Sequence, residues 1–115
     1  MITVHGLANC DTVRRARAWL GERGQPCRFH DFRKDGVPEA ALDDWIAALG
    51  WERLLNRQGT TWRRLPDDER AAVVDAASAQ ALMLRQPGVI RRPVVVWADG
   101  SISVGFDAAD WARRA

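Results

Sequence analysis

The sequence is short of the residues from which most reactive centres are built. Among 115 residues there are two cysteines, Cys10 and Cys27, and two histidines, His5 and His30. A disulfide scaffold in a small secreted chain needs more cysteines than this, and a zinc site needs ligands that are absent, so no metal is expected. Lys34 is the sole lysine. The other basic residues are arginines, whose planar fork grips carboxylates and oxyanions at two points. A net charge of only +2 argues neither for nor against a polyanionic partner. No apolar run approaches the ~20 residues of a membrane span. Met1 to His5 lacks the basic head and long apolar core of a signal peptide. A cytoplasmic protein with reduced thiols and no membrane association is the expectation. Internal repeats, low-complexity tracts and linkers are absent.

What is present is ordinary for a globular chain: 47% hydrophobic and 28% charged residues. The length suits one domain, residues 1–115, around a single core. Ile2-Thr3-Val4-His5 reads as a first strand closed by Gly6. From Thr12 to Gly24, apolar Val13, Ala16 and Leu20 recur at helical spacing, with Trp19 widening the stripe. Pro26 to Phe32 reads as a second strand with Cys27, Phe29 and Asp31 on one face. Strand, helix and strand make a βαβ unit, for which parallel pairing is the default.

From Arg33 the pattern turns helical. One helix is expected after Pro38, ending at Gly50. A stretch from Asn56 to Trp62 has no clear period. A further helix is expected from Asp67 to about Ala77, and another capped by Ser78 with Ala79, Leu82 and Met83 inward. Val94 to Trp97 is the most β-rich run. Asp99-Gly100 signals a tight hairpin to a strand from Ile102 to Phe106, and Asp107 to Arg114 reads as a closing helix. The order β-α-β, helical insert, β-β-α is an α/β, thioredoxin-like arrangement: core residues 1–32 and 89–115, insert 33–88.

The chemistry centres on Cys10, at the junction of the first strand and first helix. There, free N–H groups and the positive end of the helix dipole stabilise a thiolate. A free thiol is commonly a buried structural residue. The Gly6 turn and the polar neighbours Asn9, Asp11 and Thr12 favour the reactive reading, although the charge of Asp11 opposes it. Cys27, in an apolar strand, is expected to be buried and inert. Val13 stands three places after Cys10, so there is no CxxC pair and the resolving thiol must come from outside, with glutathione the obvious cytoplasmic candidate. Arg92-Pro93, at the start of the third strand, admits two readings: a simple strand opener, or a site where the Arg92 guanidinium faces Cys10 across the sheet end. Arg57 is a second candidate for the same positive pocket, and the X–Pro bond can be cis or trans. His5 and His30 are expected at core or edge positions. The six tryptophans are expected mostly to fill the core rather than stack on bases, so no nucleic-acid partner is expected. Trp62, beside Arg63 and Arg64, is the one expected in an exposed patch.

Gly6-Leu7-Ala8-Asn9-Cys10-Asp11-Thr12-Val13, Leu54-Leu55-Asn56, Gly59-Thr60-Thr61-Trp62 and Arg91-Arg92-Pro93 together resemble the ArsC/Spx family, and within it the YffB branch. The resemblance spans nearly the whole chain. It implies a thioredoxin-like core with a helical lobe, a nucleophilic cysteine matching Cys10, and an arginine, Arg92, before a cis-proline, Pro93. It also implies a glutathione-dependent thiol reductase. Glutathione would be co-substrate in a site including Asn9, Asp11, Thr12, Arg57 and Pro93, with an unknown thiol or oxidised substrate and a glutaredoxin-type recycling partner. Arsenate reductases of the family use a further arginine in the last strand, where this chain has Val104, Gly105 and Phe106. An arsenate pocket is therefore incomplete. A Spx-like regulatory role is the other alternative, weakened by the missing second cysteine.

Overall fold

The β-branched runs of the sequence assemble one mixed sheet. The computed structural model, which describes residues Met1–Ala115, has β1 (Ile2–Gly6), β2 (Cys27–Asp31), β3 (Val94–Val96) and β4 (Ile102–Val104) in the order β2-β1-β3-β4. β1 runs parallel to β2, with Gly6 opposite Asp31. It runs antiparallel to β3, with His5 opposite Val94, and β3 pairs antiparallel with β4. Helix α1 (Asp11–Glu22) connects β1 to β2, and helix α8 (Ala108–Arg114) closes the chain. This is the thioredoxin-like core that the element order implies. The chain divides into two compact units, Met1–Asp35 with Arg92–Ala115, and Gly36–Arg91.

In the first unit, Ile2, Val4, Val95 and Trp97 of the sheet side pack with Ala16 and Leu20 of α1 and Trp111 of α8. The α1 stripe read from the sequence is the face it buries: Val13, Ala16 and Leu20. Three tryptophans and a phenylalanine meet edge to face. Trp111 lies 5.0 Å from Trp97, 5.8 Å from Trp19 and 4.7 Å from Phe106, centroid to centroid. Such pairs add about 0.5–1.5 kcal/mol each beyond the area they bury. The buried indole N–H of Trp97 donates to Ser103 Oγ at 2.9 Å. The Asp99-Gly100 turn forms as expected, with Gly100 at φ 87 and its N–H donating to the Trp97 carbonyl.

Three expectations in this unit are corrected. Phe32 does not end the second strand. The Asp31 carboxylate accepts the N–H of Arg33 at 2.9 Å, turning the chain into the short helix α2 (Phe32–Asp35), where Phe32 is buried. Cys27 is only half-buried rather than enclosed, because β2 is an edge strand. β4 also stops short, at Val104. Gly105 there adopts φ 83 and donates its N–H to the Pro93 carbonyl at 2.9 Å.

The second unit contains α3 (Glu39–Leu49), α4 (Trp51–Leu54), α5 (Thr60–Arg63), α6 (Asp67–Ala71), α7 (Ala76–Arg85) and a 3-10 turn at Pro87–Val89. α3 stops at Gly50, φ 84, as expected. The stretch without a period contains α5, a single turn. Trp62 in it is half-buried, whereas Arg63 and Arg64 are exposed. The helix from Asp67 ends at Ala71 instead of near Ala77. The next begins earlier than Ser78, because Asp75 is its cap. The Asp75 carboxylate accepts the Ser78 N–H, while Ser78 Oγ receives the N–H of Asp75, a reciprocal box. Leu42, Trp45, Leu54, Leu82, Met83 and Ile90 are buried here. A Cβ on Gly88 would fall 2.3 Å from Thr61 Oγ1, which excludes any other residue without movement. No helix of the chain is long and apolar enough to cross a membrane.

Candidate active site

Gly6 sets the approach of β1 to α1. Its φ is not left-handed, so the requirement is spatial: a Cβ there would meet Val13 Cγ2 at 2.8 Å and Arg92 Cβ at 3.8 Å. The following loop is closed by Cys10 N–H donating to the Leu7 carbonyl at 3.2 Å. Cys10 is then the N-cap of α1, with extended backbone, φ −95 and ψ 125, and its carbonyl accepts the Arg14 N–H at 2.9 Å. The side chain makes no capping hydrogen bond as a thiol. What the neighbouring donors favour is the charged sulfur.

The balance at Cys10 is a contest of opposing effects. Burial is the largest single influence and pushes the pKa up. Against it act the Val13 N–H, a hydrogen bond from Arg92, the Arg92 positive charge and the Thr12 N–H. Together these bring the thiol below its ordinary value. Asp11 does not spoil this. Its exposed carboxylate is held in an ion pair with Arg14, one turn on. Half-burial leaves the sulfur reachable.

Arg92 is delivered by the loop entering β3. The Arg92-Pro93 bond is cis, and Pro93 is buried. That loop is held from two sides, by the Gly105 N–H on the Pro93 carbonyl and by His5. His5 Nδ1 lies 3.0 Å from the Val94 carbonyl. The sequence reading gave His5 no role. Burial holds its pKa low, with the Val94 carbonyl pulling upward and the nearby His30 pushing down. The His5 ring is 5.3 Å from that of His30 and stacks at 6.5 Å on Phe32.

Of the other residues singled out in the sequence, Thr12 stands beside Cys10, and Asn9 is exposed on the rim of a small cleft lined also by Leu7, Ala8, Asp31 and Arg33. Arg57 belongs to the other unit, where its guanidinium lies 5.6 Å from the Trp51 ring and 5.9 Å from the Trp62 ring. In the last strand, Val104 pairs with Val94 and no arginine is present.

The ArsC family model matches residues 5–114. The chain belongs to the ArsC family. A solved structure of a protein named YFFB superposes with a TM-score of 0.93 at 38% identity, covering 99% of this chain and 98% of that one. An arsenate reductase (ArsC) related protein from Brucella melitensis is 46% identical, with a TM-score of 0.75 over 97% of this chain and 92% of its own. An uncharacterized protein of Haemophilus influenzae is 35% identical over 96% of both chains. The fold is thus that of the thiol reductase-like ArsC proteins. In this member the chemistry on offer is a half-buried cysteine whose thiolate is favoured by helix N–H groups and one guanidinium. Such a sulfur can attack an electrophilic sulfur and leave again.

Proposed function

We propose that the protein is a glutathione-dependent thiol–disulfide reductase with Cys10 as its single nucleophile. The observation that carries this reading is the lowered Cys10 pKa beside Arg92, with Val13 standing where a second cysteine would resolve the sulfur from within. In the first step the Cys10 thiolate attacks the glutathionyl sulfur of a mixed disulfide. The substrate sulfur departs as a thiolate and takes a proton from water. In the second, a glutathione thiolate, having given up its proton, attacks that same glutathionyl sulfur. Glutathione disulfide leaves and the Cys10 thiolate is regenerated. In sum, the mixed disulfide and one glutathione give the free substrate thiol and glutathione disulfide: one S–S bond is broken and one made, and the incoming glutathione is the reductant.

Arg92 serves both steps. Its charge stabilises Cys10 as attacking group and as leaving group, and the second use rewards a low pKa directly. The N–H groups of Val13 and Thr12 act in the same sense. Cys27, half-buried on an edge strand, has no part in this cycle. The site is expected to work in a reducing compartment, the cytoplasm, with a glutaredoxin-type enzyme or glutathione itself for recycling.

The test is turnover of a glutathione mixed disulfide with glutathione and a coupled glutathione reductase. Wild type and Cys27→Ser should turn over at similar rates, while Cys10→Ser should be inactive and carry no glutathione. Activity surviving in Cys10→Ser, or lost in Cys27→Ser with the fold intact, would overturn the assignment.

A further inference from the structure

The sheet register creates a second polar feature beside Cys10. Asp31 ends β2 opposite Gly6, and His5 pairs with Val94 on the other side of β1. Across this edge of the sheet, Asp31 and Pro93 therefore flank the loop that carries Cys10, each about one strand spacing (~4.8 Å) from β1. On the Pro93 side stands Arg92. On the Asp31 side is a cleft of about 70 Å³, lined by Leu7, Ala8, Asn9, Asp31 and Arg33.

That cleft has room for about two waters at ~30 Å³ each, and its lining includes residues of both charge signs, Asp31 and Arg33. The Asp31 carboxylate spends Oδ1 on the Arg33 backbone N–H, at 2.9 Å, rather than on its guanidinium. A carboxylate, a guanidinium and a carboxamide, those of Asp31, Arg33 and Asn9, thus belong to the residues that line one cleft. A carboxylate and a guanidinium side by side match a group bearing an ammonium and a carboxylate on one carbon. A lone carboxylate would gain from Arg33 but be repelled by Asp31.

Resting on the glutathione reading above, we infer that the Asn9–Asp31–Arg33 cleft is the subsite for the γ-glutamyl α-amino-acid head of the thiol peptide. Arg33 and Asn9 take its carboxylate and Asp31 its ammonium. The two arms of glutathione differ in this respect: the γ-glutamyl arm ends in a zwitterion, the glycyl arm in a carboxylate alone. The cleft thus selects γ-glutamyl thiols over cysteinyl peptides that lack this head.

Three non-reacting probes test this on the full-length protein: S-methylglutathione, S-methyl-γ-glutamylcysteine and S-methylcysteinylglycine, titrated while backbone amide resonances are followed. The first two should shift Leu7, Ala8, Asn9 and Arg33, and the third should bind more than about tenfold more weakly, because it loses both charged contacts, each worth about tenfold. Arg33→Met and Asp31→Asn should each weaken the first two probes by about tenfold and leave the third unchanged. Asparagine keeps the oxygen that receives the Arg33 N–H, so the turn survives in that variant, and unchanged resonances in α1 and α8 report an intact fold. Equal affinity of all three probes for wild type, or of the first two for wild type and both variants, overturns the cleft assignment alone. Failure of every probe to bind overturns it together with the glutathione reading.

Discussion

Gly6→Ala probes the closest packing at the site. The new Cβ would stand 2.8 Å from Val13 Cγ2, some 0.7 Å inside the ~3.5 Å at which carbon atoms begin to attract. Val13 is fully buried, so it cannot swing away, and overpacking of this kind costs about 1–3 kcal/mol. At roughly 2.1 cal/mol/K per residue, a chain of 115 residues unfolds with an entropy of about 0.24 kcal/mol/K, so Tm should fall by about 4–12 °C. Val13→Ala removes two buried methyl groups, about 0.8 kcal/mol each before any cavity term, or about 2 kcal/mol in all. The double variant is decisive. Its alanine Cβ occupies space that Val13 vacated, and the Gly6 backbone is not left-handed, so alanine there is conformationally acceptable. Urea unfolding of the four proteins at constant m should give a double variant no less stable than Val13→Ala alone. Additivity within ~0.5 kcal/mol would refute the contact. Because Val13 also supplies an N–H to the Cys10 thiolate, Gly6→Ala should raise the pH midpoint of Cys10 alkylation as well.

Ser103→Ala leaves the buried Trp97 indole N–H without its acceptor and should cost about 1–3 kcal/mol in urea unfolding, with Trp97→Phe/Ser103→Ala recovering part of it. His5 is held below its ordinary pKa by burial. The unfolded chain therefore binds the proton first, and stability is full above the unfolded value of ~6.5 and declines as pH falls toward the folded one. His5→Phe should flatten that decline between pH 7.5 and pH 5, read as the urea midpoint at each pH. Asp11→Asn should move the Cys10 alkylation midpoint little, since the Asp11 charge is already paired with Arg14 and exposed to solvent. A large downward move would show that Asp11 opposes the thiolate after all.

The strands and Cys10 were legible in the sequence because local rules decide them. Val94, Val95 and Val96 suit only an extended, buried run, and a cysteine between a glycine turn and an amphipathic helix falls at its N-cap. The Asp11–Arg14 pair is equally local, three residues apart, yet the sequence alone read the Asp11 charge as simply opposing the thiolate. Other features depend on pairings between distant segments. His5 touches the Val94 carbonyl only because β1 and β3 adopt this register. The Asn9–Asp31–Arg33 cleft exists only because Gly6 pairs with Asp31. Asp75 and Ser78 are both good capping residues. Which of them caps α7 is fixed by the reciprocal box they form, a device that sequence reading overlooked in favour of Ser78 alone. The turn at Asp31 likewise competes with strand propensity at Phe32, and the aspartate wins.

The central claim is an activated Cys10, with Arg92 as part of the cause. The most direct measurement is the rate of Cys10 alkylation by iodoacetamide against pH in Cys27→Ser and in Cys27→Ser/Arg92→Met. The midpoint in the first should lie below the ~8.5 of a free thiol, and loss of the guanidinium should raise it. A midpoint at or above that value in the first protein, or no change on removing Arg92, would contradict the account.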